Sequence, residues 1–107
     1  MPESIGIILE ATFTLSKDAR EAKEDLAKLM KEANETLLAK GAPKGLESEA
    51  AKVVDWSIAG RNVRLRIESG TYVRATAAIL RVKKPLANAL GKKHRIGIRD
   101  LKAEKIT

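Results

Sequence analysis

Between Ile5 and Leu15 the chain alternates: Ile5, Ile7, Leu9, Ala11, Phe13 and Leu15 are apolar, with Glu10, Thr12 and Thr14 between them. Side chains two apart leave an extended backbone on the same face, so this run predicts a strand with one buried side. Such a strand must be covered, and the pattern that follows supplies the cover. Ala19, Ala22, Leu26, Leu29, Ala33 and Leu37 recur at spacings of three and four, one apolar stripe of a helix from about Asp18 to Lys40. Ser16 is placed to cap it, and Asp18 and Glu21 suit the positive end of its dipole. Glu24, Lys28 and Glu32 read as a solvated face. Gly41 ends the helix and Pro43 prevents its continuation, leaving a loop to Ala51.

Two further strands are predicted. Val54, Trp56 and Ile58 alternate with Asp55 and Ser57, and Val63, Leu65 and Ile67 alternate with Arg64, Arg66 and Glu68. Ala59-Gly60-Arg61-Asn62 between them reads as a hairpin turn. The phase places Trp56 in the core. Thr71 then caps a second helical region with the stripe Tyr72, Ala75, Ile79, Val82, Leu86 and Leu90. Pro85 inside this stripe predicts a kink or two short helices, and Gly91 predicts the end. Ile96 and Ile98 begin another strand, and the shift of phase before Leu101 and Ala103 predicts a bulge or a break. The order of elements is that of an α+β domain, an antiparallel sheet with helices on one face. With 107 residues, a single domain spanning 1–107 is expected.

Charge is divided unevenly. Residues 1–60 hold 8 Lys/Arg against 11 Asp/Glu, and residues 61–107 hold 13 against 3, within a net charge of +7. A basic half of this kind attracts polyanions, nucleic acid first among them. Phe13, Trp56 and Tyr72 are the only aromatics, too few for a platform of stacked bases. The absence of cysteine removes thiolate chemistry and disulfides, and suits a cytoplasmic location. The apolar run at 5–15 is too short and too interrupted for a signal peptide or a membrane span.

Catalytic machinery is not evident. His94 is the single histidine and stands between Lys93 and Arg95, which discourage a bound cation. No phosphate-binding glycine motif and no metal-ligand spacing occur. Ser48, Ser57 and Ser69 lack a neighbouring base, and Glu47, Glu49 and Asp55 read as loop or strand-face charges.

The second helical region points to binding. At roughly 100° per residue, Arg74, Arg81, Lys84 and Asn88 share the face opposite the apolar stripe, with Ala77 and Ala78 beside them. Lys92, Lys93, Arg95 and Arg99 follow, and Arg95, Gly97 and Arg99 are expected on one strand face. Lys83 projects towards the apolar stripe and is left outside the site. Arg64 and Arg66 either extend the basic surface or cover the outer face of the sheet. The helical set has an ordinary solvated face as its alternative, and the set from Arg95 to Arg99 an edge strand blunted by charge. A module that docks or dimerises through its basic face is therefore the competing reading.

The segments EANETLLAKGAP (Glu32–Pro43), VVDW (Val53–Trp56) and ESGTYVRATAAILRVKKPLANALGKKHRIGIR (Glu68–Arg99) resemble the N-terminal tRNA-binding domain of type-2, methanogen-type seryl-tRNA synthetases. The resemblance implies an antiparallel sheet of about six strands capped by a three-helix bundle. It implies recognition of the long variable arm of serine tRNA, with Arg81, Lys84 and Arg99 as tRNA-binding residues and Arg74, Lys92 and Lys93 extending the field. It also implies no catalytic residue, cofactor or metal in this domain. The zinc, ATP and magnesium of the family belong to a separate class II catalytic core, the expected partner in a homodimeric archaeal ligase. A free-standing RNA-binding protein built on the same domain is the variant of this reading.

Overall fold

The computed structural model describes residues 6–38 and 51–106. The opening alternation forms β1 (Ile7–Leu15), whose inward residues Leu9, Ala11, Phe13 and Leu15 are all buried. Ile5 lies outside the described residues. The chain then makes a tight 3-10 turn at Arg20–Ala22, enters α1 (Lys23–Glu32) and widens into a π-type turn at Ala33–Leu37. Ala19, Ala22, Leu26, Leu29 and Ala33 of the expected stripe are buried. The start differs from expectation. Ser16 does not cap this helix, because its hydroxyl accepts the Gly97 N–H at 2.9 Å. Asp18 takes the local role, accepting the Arg20 N–H at 2.9 Å and pairing with the Arg20 guanidinium at 3.0 Å. The expected helix end at Lys40–Gly41, Pro43 and most of the loop before Ala51 lie outside the described residues.

β2 (Lys52–Ala59) and β3 (Asn62–Ser69) pair antiparallel through a turn at Gly60 and Arg61. Gly60 has φ +60°, a left-handed conformation that glycine adopts without the Cβ penalty. The register shifts between Val53 and Asp55, so Val54 is the extra residue of a bulge. The expected face Val54–Trp56–Ile58 is corrected accordingly: Val53 is buried, Val54 is exposed, and Trp56 and Ile58 pack half-buried against the core. Asn34 secures the bulge. Its Nδ2 donates to the Val53 carbonyl at 2.9 Å, and the Val53 N–H donates to Asn34 Oδ1 at 2.8 Å.

Thr71 begins α2 (Tyr72–His94) as its sequence predicts, its hydroxyl accepting the Arg74 N–H at 3.1 Å. Pro85 does not divide it; α2 is one helix of 23 residues. A proline withholds one N–H, here the donor to the Arg81 carbonyl, but Ile79 and Val82 before it and Leu86 and Leu90 after it are all buried. Core packing on both sides outweighs the local fault. Tyr72, expected in the stripe, is exposed. Nor does Gly91 end the helix. The left-handed residue is Arg95 (φ 57°, ψ 38°), whose N–H donates to the Gly91 carbonyl at 3.2 Å, while Ile96 N–H returns to Leu90 at 3.0 Å. Burying Ile96 at this corner fixes where the chain must turn.

The last element, β4 (Ile98–Lys105), pairs antiparallel with β1, giving the order β2-β3-β1-β4. Leu15 faces Ile98 and Thr14 faces Asp100, so Arg99 is an extra residue on β4. The expected phase shift is therefore a bulge within one strand. Among the described residues the fold is α+β, with one four-stranded antiparallel sheet and two helices. The six strands and three-helix bundle implied by the resemblance are not what these residues form. The π-type turn after α1 packs on β2, and α2 packs on β1 and β3. The inward faces of sheet and helices merge into one core, from which removal of a side chain such as Phe13 costs about 3–5 kcal/mol on replacement by alanine.

Candidate nucleic-acid interface

From Ser69 to Arg99 the chain contains no Asp or Glu. This stretch includes all of α2, so the helix presents cations to solvent without acidic neighbours on its own surface. Arg81 and Lys84 are exposed on the side away from the buried stripe, with Asn88 beside them, as their spacing predicts. Arg74 lies on the same side one turn or more towards the N-terminus and is half-buried. Ala77 is exposed next to them, whereas Ala78, expected there, is buried in the core.

Lys92 and Asn88 turn towards α1, where they help line an open groove of about 470 Å³ with Asp25, Lys28 and Glu32. Lys93 reaches across this end, its Nζ 3.5 Å from Asp25 Oδ2, so part of its charge is neutralised within the domain. His94 Nε2 approaches the same oxygen at 2.7 Å. The His94 hydrogen bond, with the Lys93 charge behind it, holds the Asp25 carboxyl below the ordinary carboxylate range.

Arg99 is exposed at the bulge on β4, an edge strand. The shared strand face expected for Arg95, Gly97 and Arg99 does not form. Arg95 closes α2 in the left-handed conformation, Gly97 is tied to Ser16, and only Arg99 belongs to β4. Arg64 and Arg66 are resolved in favour of covering the sheet. They flank Glu10 on its outer face, with Nε atoms 3.8 and 3.1 Å from the carboxylate oxygens, on the side opposite the helices. Lys83, expected to project towards the stripe, is exposed. Its rotation from the buried stripe places it on the flank opposite Arg81, which the helical spacing could have shown. Among the described residues no cluster of three or more His, Cys, Asp or Glu is arranged to hold a metal ion, and no helix is long and apolar enough to cross a membrane.

An acid-free, cation-bearing helix on a small α+β domain is a nucleic-acid-binding arrangement. The chain belongs to the tRNA-binding domain family, which matches it over residues 5–107. It is 50% identical over 99 residues to the type-2 serine–tRNA ligase of Methanococcoides burtonii, covering 92% of this chain and 19% of that protein. The corresponding ligase of Methanothermobacter thermautotrophicus is 40% identical over 93 residues, covering 87% of this chain and 18% of that one. Among solved structures, M. kandleri SerRS in complex with A. aeolicus tRNASec superposes with a TM-score of 0.82 at 37% identity, over 92% of this chain and 19% of that chain. The chain thus spans about a fifth of the length of the relatives it matches.

Proposed function

We propose that this chain is the tRNA-recruiting domain of a type-2 serine–tRNA ligase and that it grips the long variable arm of serine tRNA through the phosphate backbone. One observation carries the reading: the family match coincides with a helix whose outward charges are all positive. Arg81 and Lys84 form the centre of the contact and Arg99 a second point on β4. Arg74 and Lys92 extend the field, and Lys93 contributes what its pairing with Asp25 leaves available. The variable arm is an A-form stem whose deep major groove excludes side chains, so backbone and shape govern recognition.

On this reading the domain performs no chemistry. It sets the position of the tRNA so that the acceptor end reaches a catalytic core, the expected partner, where zinc, ATP and magnesium would be held. The setting is cytoplasmic and the whole ligase a homodimer. The test is a filter-binding titration of this chain with serine tRNA, intact and lacking its variable arm. Tight, salt-sensitive binding that falls sharply without the arm is expected; equal affinity for both RNAs would remove the proposal.

A further inference from the structure

Three apolar side chains of α2 face solvent instead of the core: Tyr72 is 55%, Val73 76% and Leu80 55% exposed. Val73, Ala77 and Leu80 stand at i, i+4 and i+7, so they line up as a low ridge along the outer side of the helix, and Lys84 continues it one turn on. Rotation about the axis puts Arg81 on one flank of this ridge and Lys83 on the other. Contiguous exposed apolar surface marks a contact site, and the charges around it decide the class of partner. A second copy would set this acid-free basic helix against another of the same sign. An anionic partner is the one that complements it.

We propose that the Val73–Ala77–Leu80 ridge lies along the minor groove of an RNA duplex, with Arg81 and Lys83 reaching the phosphates of its two opposite strands. This rests on the tRNA-binding reading above and names the mode of contact. In A-form RNA the minor groove is wide and shallow, with the ribose edges displayed along its floor, whereas the major groove is too narrow for a helix. Ribose carbon surfaces accept the side chains of Val73 and Leu80, and the ridge is low enough at Ala77 for close approach. A backbone on each side of the groove matches a cation on each side of the ridge. Lys83 becomes a binding residue, although it belongs to neither the Arg81–Lys84 set nor the core.

The probes are a serine tRNA transcript with its long variable arm and a plain RNA duplex of about 16 base pairs, the length a minor-groove shape reader spans, with a DNA duplex of the same sequence as control. Val73→Gln and Leu80→Gln alter exposed positions and introduce glutamine, a good helix former, so the thermal midpoint serves as a folding check. Each is expected to weaken RNA binding about five- to tenfold through reduced apolar burial. The slope of log affinity against log salt stays unchanged, and the preference for RNA over DNA shrinks. Lys83→Gln should flatten that slope by about one phosphate's worth. Parental affinity in V73Q and L80Q, while Arg81→Gln weakens binding, overturns the ridge contact alone. Parental affinity in all of them removes the tRNA-binding reading with it. A dimer of the chain that Leu80→Gln dissociates, with RNA affinity untouched, makes the ridge a protein interface and also overturns the proposal.

Discussion

His94 Nε2 lies 2.7 Å from Asp25 Oδ2, so the last turn of α2 is fastened to α1. The fastening sits immediately before Arg95, the left-handed residue that redirects the chain into β4. The start of α1 and the end of α2 are therefore coupled through a single carboxylate.

That coupling has a pH signature. Asp25 titrates below its ordinary range in the folded protein, so the stability it contributes is present above the unfolded value of about 3.9. It is lost as pH falls through the lower folded value. Asp25→Asn should be less stable than the parent at neutral pH, and the difference should close in acid. Urea midpoints of both proteins between neutral pH and strong acid measure it; a gap that persists unchanged into acid would refute the coupling.

Charge removal on the outer side of α2 separates binding from folding. Arg81→Gln, Lys84→Gln and Arg99→Gln are each expected to flatten the salt dependence of tRNA affinity by about 0.7–0.9 for each phosphate the side chain neutralises. All three positions are exposed, so thermal midpoints stay close to the parent. Paired binding titrations and thermal scans test this, and a variant that melts early without changing the salt slope would assign its residue to structure.

Asn34 holds both backbone groups of Val53 at the β2 bulge. Asn34→Ala leaves them without their side-chain partner and is expected to cost about 1–2 kcal/mol, one or two net hydrogen bonds. Hydrogen exchange should quicken first at Val53 and its neighbours on β2. Uniform acceleration across the sheet would instead mean that Asn34 supports the whole fold.

Arg95 is the one described non-glycine residue with positive φ. Arg95→Gly relieves about 1–2 kcal/mol of left-handed strain and adds back most of that as unfolded-chain entropy. A net gain of about 0.5 kcal/mol, visible as a small rise in the thermal midpoint, is expected. A fall would show that the Arg95 side chain makes a stabilising contact.

Much of this fold is legible in the sequence because burial enforces period. The β1 and β3 alternations and, apart from Leu37 and Tyr72, the stripes of both helices appear in the structure at the predicted residues. The departures have local causes. Alternation alone puts the start of β2 one residue out of phase, because a bulge places Val53 and Trp56 on the same side. Pro85 and Gly91 carry the local signature of breaks, yet packing of Leu86 and Leu90 takes α2 through both. Ser16 has the spacing of a helix cap, but its partner Gly97 is remote in the chain. The basic face of α2 is visible from spacing, whereas the pairing of Lys93 with Asp25 and of Arg64 and Arg66 with Glu10 depends on contacts between distant segments. Tyr72 belongs to the expected stripe by spacing, but only the structure shows that the stripe begins after it.

β1 sits between β3 and β4, so Phe13 faces Val63 on one side and Leu101 on the other. Both neighbours are distant in the chain, and the loops between them must close before either pairing rewards the loss of freedom. A ribosome therefore releases β1 long before its second flank can be covered. Until Ile98–Lys105 emerges, this early strand keeps one row of amide and carbonyl groups open, and the sheet stays incomplete for as long as that segment is unmade.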